Sequence, residues 1–181
     1  LFSPLGPFIF TIFTSIKTKD FSEHPKMCAK EITDYVLTEI EKNKFDVIVM
    51  NYANPDMVGH TGKFQPTVEA VEFVDKQIGR VVESTLAIGG GVLLTCDHGN
   101  AEMIINHLTH KQTTDHTNSP VPVIYISKES KLPEPKKDGE VQQILGNPIG
   151  FLADVAPTAL EILGLKAPKE MTAQSLLGSL R

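Results

Sequence analysis

The chain has no tryptophan, only two cysteines among its 181 residues, and no surplus of basic charge. Each scarcity closes off a class of protein. Cys28 and Cys96 allow at most one bridge, which excludes a disulfide scaffold; free, buried thiols in a reducing cytoplasm are expected. A formal net charge of -5 provides no basic footprint, so no nucleic-acid partner is expected. The stretch from residue 1 to 16 is apolar, but Pro4 and Pro7 interrupt it, and a spanning helix needs roughly 20 residues. It also lacks the basic leader and small-residue cleavage site of a signal peptide. No membrane partner is expected, and residues 1–16 remain unassigned. At 41% hydrophobic and 22% charged, the rest has the composition of a domain with a real core.

Periodicity divides that rest into alternating helix and strand. Pro25 opens a helix on which Ala29, Ile32, Val36 and Ile40 recur at helical spacing, with Asn43 and Lys44 at its end. Phe45–Met50 is a continuous apolar run, the pattern of a strand buried on both faces. Pro66 opens a second helix with Val71, Val74, Ile78 and Val81 on one face. Three consecutive glycines, Gly89 to Gly91, then turn the chain into the strand Val92–Thr95. A third apolar run, Val121–Ile126, follows. Residues 128–147, rich in Lys, Pro and Gly, read as a surface excursion. Asp154 precedes a last helix that Gly164 stops. Alternation of this kind implies a sheet with helices on its faces.

The chemistry gathers next to the three apolar runs. Asp56 and His60 form a D-x-x-x-H pair just after Val47–Met50. Asp97 and His98 follow Val92–Thr95, and His116 stands just before Val121–Ile126. Carboxylate and imidazole ligands suit divalent manganese, magnesium, zinc or cobalt rather than a thiolate-bound metal. One such residue at a strand end is usually a turn residue; five in three matched contexts are a metal site. The order of ligand and strand also carries topology. Asp56 and Asp97 come after their strands, whereas His116 comes before its own. To reach the same site, Val121–Ile126 must run antiparallel to the other two.

The wording around the ligands is more specific than their types. Asn51–Gly62, the Leu94–Glu102 segment with its Thr-Cys-Asp-His-Gly-Asn core, and His116–Pro122 resemble the cofactor-independent phosphoglycerate mutases of the alkaline phosphatase superfamily. Residues 152–164, Leu-Ala-Asp-Val-Ala-Pro-Thr-Ala-Leu-Glu-Ile-Leu-Gly, are similar to that superfamily's closing helix. The resemblance runs from about Lys17 to the C-terminus. It implies a three-layer α/β/α fold with a mostly parallel sheet and at least one antiparallel strand, incomplete in this chain. Residues 17–181 would be the C-terminal part of the metal-binding domain.

The resemblance also assigns roles. Asp56, His60 and His116 match the ligands of one metal, and Asp97 and His98 match two ligands of the other. Lys17 matches a lysine that approaches the substrate phosphate, although the family's Ser-Pro-Lys reads Ser15-Ile16-Lys17 here. Two divalent ions are implied, manganese first, with magnesium or cobalt as alternatives. The implied activity interconverts 2- and 3-phosphoglycerate in glycolysis and gluconeogenesis through a phosphoserine, in a cytoplasmic enzyme that is monomeric at full length. No serine in this chain, including Ser119, matches the nucleophile's motif. The expectation is therefore a fragment without turnover of its own. Phosphopentomutases and phosphatases of the same superfamily, or an inactive metal-binding remnant, are the alternatives. Asn100 and Glu102 sit close enough to support the site, but the sequence assigns them no role. His24, His107 and His110 read as exposed loop residues.

Overall fold

In the computed structural model, residues 8–106, 109–130 and 134–180 are described. Residues 1–7 of the unassigned stretch, and His107, lie outside them. Helix α1 spans Ala29–Lys42 and ends at Asn43, whose left-handed backbone (φ 48°) turns the chain away. Pro25 lies in the turn ahead of α1 rather than in its first turn. The buried face of α1 carries Ala29, Thr33, Val36, Glu39 and Ile40, so three of the four expected positions hold, Ile32 is only partly buried, and Thr33 and Glu39 join the stripe. Helix α3, Phe64–Ala87, has Pro66 in its first turn, where a missing N–H costs nothing.

The buried stripe of α3 is Thr67, Ala70, Val74, Gln77 and Val81. Val71 was expected on that face and is instead exposed. Small Thr67 and Ala70 let α3 come close to its neighbours along a line one position away. Val36 and Ile40 of α1 meet Val81 of α3, with Ile32 and Met50 packed against them. Arg80 ties the same two helices, donating to Asp34 on α1 at 2.7 Å and to Gln77 at 2.8 Å.

Among the described residues the sheet is one antiparallel pair. Strand β1, Val92–Thr95, pairs with β2, Val123–Ile126, in a register that sets Val92 opposite Ile126 and Thr95 opposite Val123. The antiparallel run deduced from the ligand order is therefore present. The strand expected at Phe45–Met50 does not form: among the described residues this segment carries no ladder, Asp46 is a bend, and Val47 and Val49 are 53% and 91% exposed. A strand needs a neighbour to satisfy its N–H and C=O groups, and no described residue pairs with it there.

Helix α2, Asn54–Gly59, is a short turn set between α1 and α3. Helix α4, Asp138–Leu145, lies exposed within the excursion read as surface. Helix α5, Val155–Ile162, follows Asp154 and ends before Gly164 as expected, but it is not the last helix, because α6 spans Leu177–Leu180. Asp154 and Thr158 staple that end together. The Asp154 carboxylate accepts the Phe151 and Gln174 N–H groups, and Thr158 Oγ1 accepts the Leu176 N–H at 2.8 Å. Cys28 is partly buried and Cys96 exposed, both free, so the expectation of buried thiols is corrected. Cys96 ends β1 where the strand leaves its cover. No described helix is long and apolar enough to cross a membrane.

Candidate metal centre

Asp56 and His60 share one face of α2 because four residues make about one helical turn. Pro55 in the first turn of α2 pre-sets the backbone there. Two buried hydrogen bonds fasten this segment. The Asn54 amide donates to the Pro25 carbonyl at 2.9 Å. Tyr52 Oη meets Thr33 Oγ1 at 2.6 Å, and since Thr33 already donates to the Ala29 carbonyl, the tyrosine is the donor. Burial raises the Tyr52 pKa, which keeps it in that donor form. Gly59 lets the loop after β1 come in: a Cβ there would overlap Asn100 Oδ1.

Three histidines from three segments converge on one carboxylate oxygen. Asp56 Oδ1 lies 3.2 Å from His60 Nε2, 3.2 Å from His116 Nε2 and 3.9 Å from His98 Nε2. His60 Nε2 and His116 Nε2 are 3.1 Å apart. The His98 and His116 rings stack with centroids 3.7 Å apart. His60 Nδ1 sits 2.5 Å from the Thr114 carbonyl. A carbonyl only accepts, so Nδ1 carries the proton and a neutral His60 turns a lone pair on Nε2 toward Asp56.

That arrangement is rich in electron pairs and poor in donors. Asp56 Oδ1 is buried and has no hydrogen-bond partner among the described residues. A buried, unpaired carboxylate oxygen is costly. A dication facing it would remove the penalty, as would protons on the imidazoles. The spacing suits the dication: ligand atoms about 2.0–2.1 Å from a tetrahedral metal lie roughly 3.3 Å from one another, close to the 3.1–3.2 Å edges of the Asp56–His60–His116 triangle. Asp56, His98 and His116 form a second set, overlapping the first, with their ligand atoms within 4.8 Å of one another.

Of the five residues singled out by sequence, four are drawn together and one stands at the rim. Asp97 is 89% exposed, with Oδ1 3.6 Å from His98 Nε2. Lys17 is exposed. A cleft beside His60 is lined by Lys19, Asp20, Met57 and Lys63 rather than by Lys17. Lys63 is engaged there, donating to Asp20 at 2.7 Å and to Ser22 at 2.9 Å. His24 and His110 are exposed, as read. Sequence reading missed the Thr114 carbonyl, because a backbone acceptor has no letter. It also missed the Tyr52–Thr33 contact, for which the apolar spacing of α1 gave no signal.

A family model described as the metalloenzyme superfamily matches residues 6–167, a span that begins ahead of Lys17. The chain is similar to the 2,3-bisphosphoglycerate-independent phosphoglycerate mutase of Gloeobacter violaceus, 52% identical over 154 residues, covering 85% of this chain and 28% of that protein. It is 42% identical over 166 residues to the protein of the same name from Clostridium kluyveri, covering 92% and 30%. The crystal structure of Leishmania mexicana phosphoglycerate mutase at low cobalt concentration superposes with a TM-score of 0.72 and 28% identity, over 88% of this chain and 30% of that one. The chain thus spans less than a third of the length of these relatives.

Proposed function

The chain belongs to the metalloenzyme superfamily, and from that premise we propose that it is the metal-holding C-terminal part of a 2,3-bisphosphoglycerate-independent phosphoglycerate mutase. Its substrate would be phosphoglycerate, interconverted between the 2- and 3-forms in cytoplasmic glycolysis and gluconeogenesis. The observation that carries this reading is the buried, donor-free Asp56 Oδ1 faced by three imidazole nitrogens. The name shared by the relatives from Gloeobacter violaceus and Clostridium kluyveri supports the substrate. The cobalt of the Leishmania mexicana structure supports a divalent ion.

Within this reading, residues 17–181 form the metal-binding part, and the full-length protein acts as a monomer. Asp56, His60 and His116 hold one ion, and Asp97 and His98 contribute to a second. Manganese is the first choice, with magnesium or cobalt as alternatives. Such a pair supplies a lowered hydroxyl pKa and charge to offset that on phosphoryl oxygens. The chain's own residues do the rest. Asp56 brings the negative charge, and the Thr114 carbonyl fixes the tautomer of His60. His116, with its side chain half exposed, leaves a side open to substrate. Lys17 is assigned to the phosphate. Attraction of an anionic substrate is then local, despite the net charge of -5.

Covalent transfer needs an activated nucleophile, and none of the serines here stands in the family's motif, so the isolated chain is not expected to turn over. The test belongs to the full-length enzyme. His60→Ala should lower mutase turnover by several orders of magnitude at saturating Mn²⁺, while His24→Ala leaves it unchanged. Wild-type turnover from His60→Ala in a coupled assay would refute the ligand assignment.

A further inference from the structure

Glu102 is a carboxylate that the ligand set does not use, and it stands between two loops that carry much of that set. One loop, after β1, brings Asp97 and His98; the other, before β2, brings His116. The strand ladder ends at Thr95 and Val123, short of these residues. Beyond it isolated bridges join Gly99 to Thr117 and, farther along, Ile105 to Gln112; at the first, the Thr117 N–H donates to the Gly99 carbonyl at 2.8 Å. Glu102 closes over this first bridge from the side. Its Oε2 accepts the Asn100 N–H at 2.7 Å, and its Oε1 accepts the Thr117 hydroxyl. Thr117 Oγ1 in turn accepts the Ser119 N–H at 3.3 Å. Gly99 makes the approach feasible, because a Cβ there would overlap Thr117 Oγ1 and lie 2.6 Å from Glu102 Oε1.

The charge on Glu102 suits this work. Burial opposes ionisation, but hydrogen bonds from Thr117 and the backbone outweigh it and leave the pKa below the usual carboxylate value. An ionised carboxylate accepts two or more donors more strongly than a neutral acceptor does. The residues it grips, Asn100 and Thr117, lie two and one positions from His98 and His116. Those two histidines are the pair whose rings stack at 3.7 Å. The strand ladder alone would leave that spacing to two unpaired loops.

We propose that Glu102 is a positioning residue which, through Asn100 and Thr117, sets the separation of His98 and His116 and thereby the affinity of the centre for a divalent cation. The inference rests on the metal reading above, and its test keeps the two apart. Two quantities are measured on the chain: Co²⁺ affinity by visible absorption, and the ring-proton shifts of His98 and His116 by NMR without metal. Glu102→Ala removes every bond of the clamp; Glu102→Gln and Thr117→Val each remove part of it. Glu102→Ala should weaken Co²⁺ binding by about 10–100-fold, the usual loss when a supporting partner of a ligand is removed. The other two should fall between it and wild type, with altered cobalt bands.

In all three variants the ring protons should lose the upfield shifts that stacking imposes. Asp154→Asn cuts a comparable carboxylate brace outside the ligand cluster and should leave both quantities unchanged, which separates positioning from a general loss of stability. If Glu102→Ala does not fold, Glu102→Gln and Thr117→Val carry the test. Unchanged ring shifts in those two folded variants overturn the proposal, and so does unchanged Co²⁺ affinity. A wild-type chain that binds no Co²⁺ defeats the metal reading instead, and the ring shifts then decide the clamp on their own.

Discussion

The helix pair α1–α3 and the strand pair β1–β2 are finished to different degrees. Val36, Ile40 and Val81 lie at 5%, 7% and 9% exposure, enclosed between two helices. Every residue of β1 is only partly buried, Ile124 of β2 is exposed, and beyond the sheet Phe151, Leu152 and Leu165 face outward. Apolar surface on that scale marks faces that pack against something else. The proposed metal centre straddles the two regions. Asp56 and His60 stand on a turn bolted to the helices, whereas His98 and His116 hang from loops of the strand pair. Half of the proposed ligand set therefore inherits a closed core, and the other half depends on local devices such as the Gly99–Thr117 bridge.

Truncation sharpens this contrast most. Ile40→Ala should cost about 2–4 kcal/mol, the range for deleting a buried aliphatic side chain in a closed core. Ile124→Ala should cost under about 1 kcal/mol, because this residue is already 45% exposed. Urea unfolding of both variants gives the comparison, and equal losses would break it. A smaller effect is expected where the regions meet. Gly59→Ala pushes a methyl group into Asn100 and should cost about 1–3 kcal/mol, the usual range for overpacking. It should also weaken metal binding, because Asn100 is two residues from His98; a variant as stable as wild type with unchanged Mn²⁺ affinity would show that the contact is slack.

The smallest effect concerns the helical side alone. Hydrogen bonds from the Lys63 ammonium and from Ser22 lower the Asp20 carboxyl from its ordinary 3.8 to about 2. A carboxyl whose pKa falls on folding adds stability above its unfolded value and loses it as pH drops through the folded one. Lys63→Ala should therefore be slightly less stable than wild type at neutral pH. The difference should shrink as pH falls from about 4 toward 2. Because the pair is exposed, it should also shrink in high salt. A pH-independent difference would assign the loss to packing of the Lys63 stem instead.

The convergence of Asp56, His60, His98 and His116 was legible because their chemistry is local: Asp56 and His60 fall one helical turn apart, and His98 and His116 adjoin recognisable runs. The direction of β2 was legible for the same reason, since a ligand before a strand and a ligand after one can meet only if the strands oppose. Phe45–Met50 was misread because apolar composition reports what a segment wants to bury, not whether a partner strand is present. Val71 was misplaced because the stripe of α3 follows small Thr67 and polar Gln77, which a hydrophobic pattern overlooks. Asn100 and Glu102 were visible only as neighbours of ligands. Their work depends on a bridge between residues 99 and 117, and no spacing within one segment encodes it.

The proposed cation site is Asp56 Oδ1, buried without a donor among three imidazole nitrogens. Titration of the 181-residue chain with Mn²⁺, followed by the paramagnetic resonance of the free ion, tests it directly. Saturable uptake of Mn²⁺ at neutral pH is expected, lost in Asp56→Asn and in His60→Ala while far-ultraviolet circular dichroism stays unchanged. Absence of uptake, or an Asp56→Asn chain that binds Mn²⁺ as tightly as wild type, would contradict it.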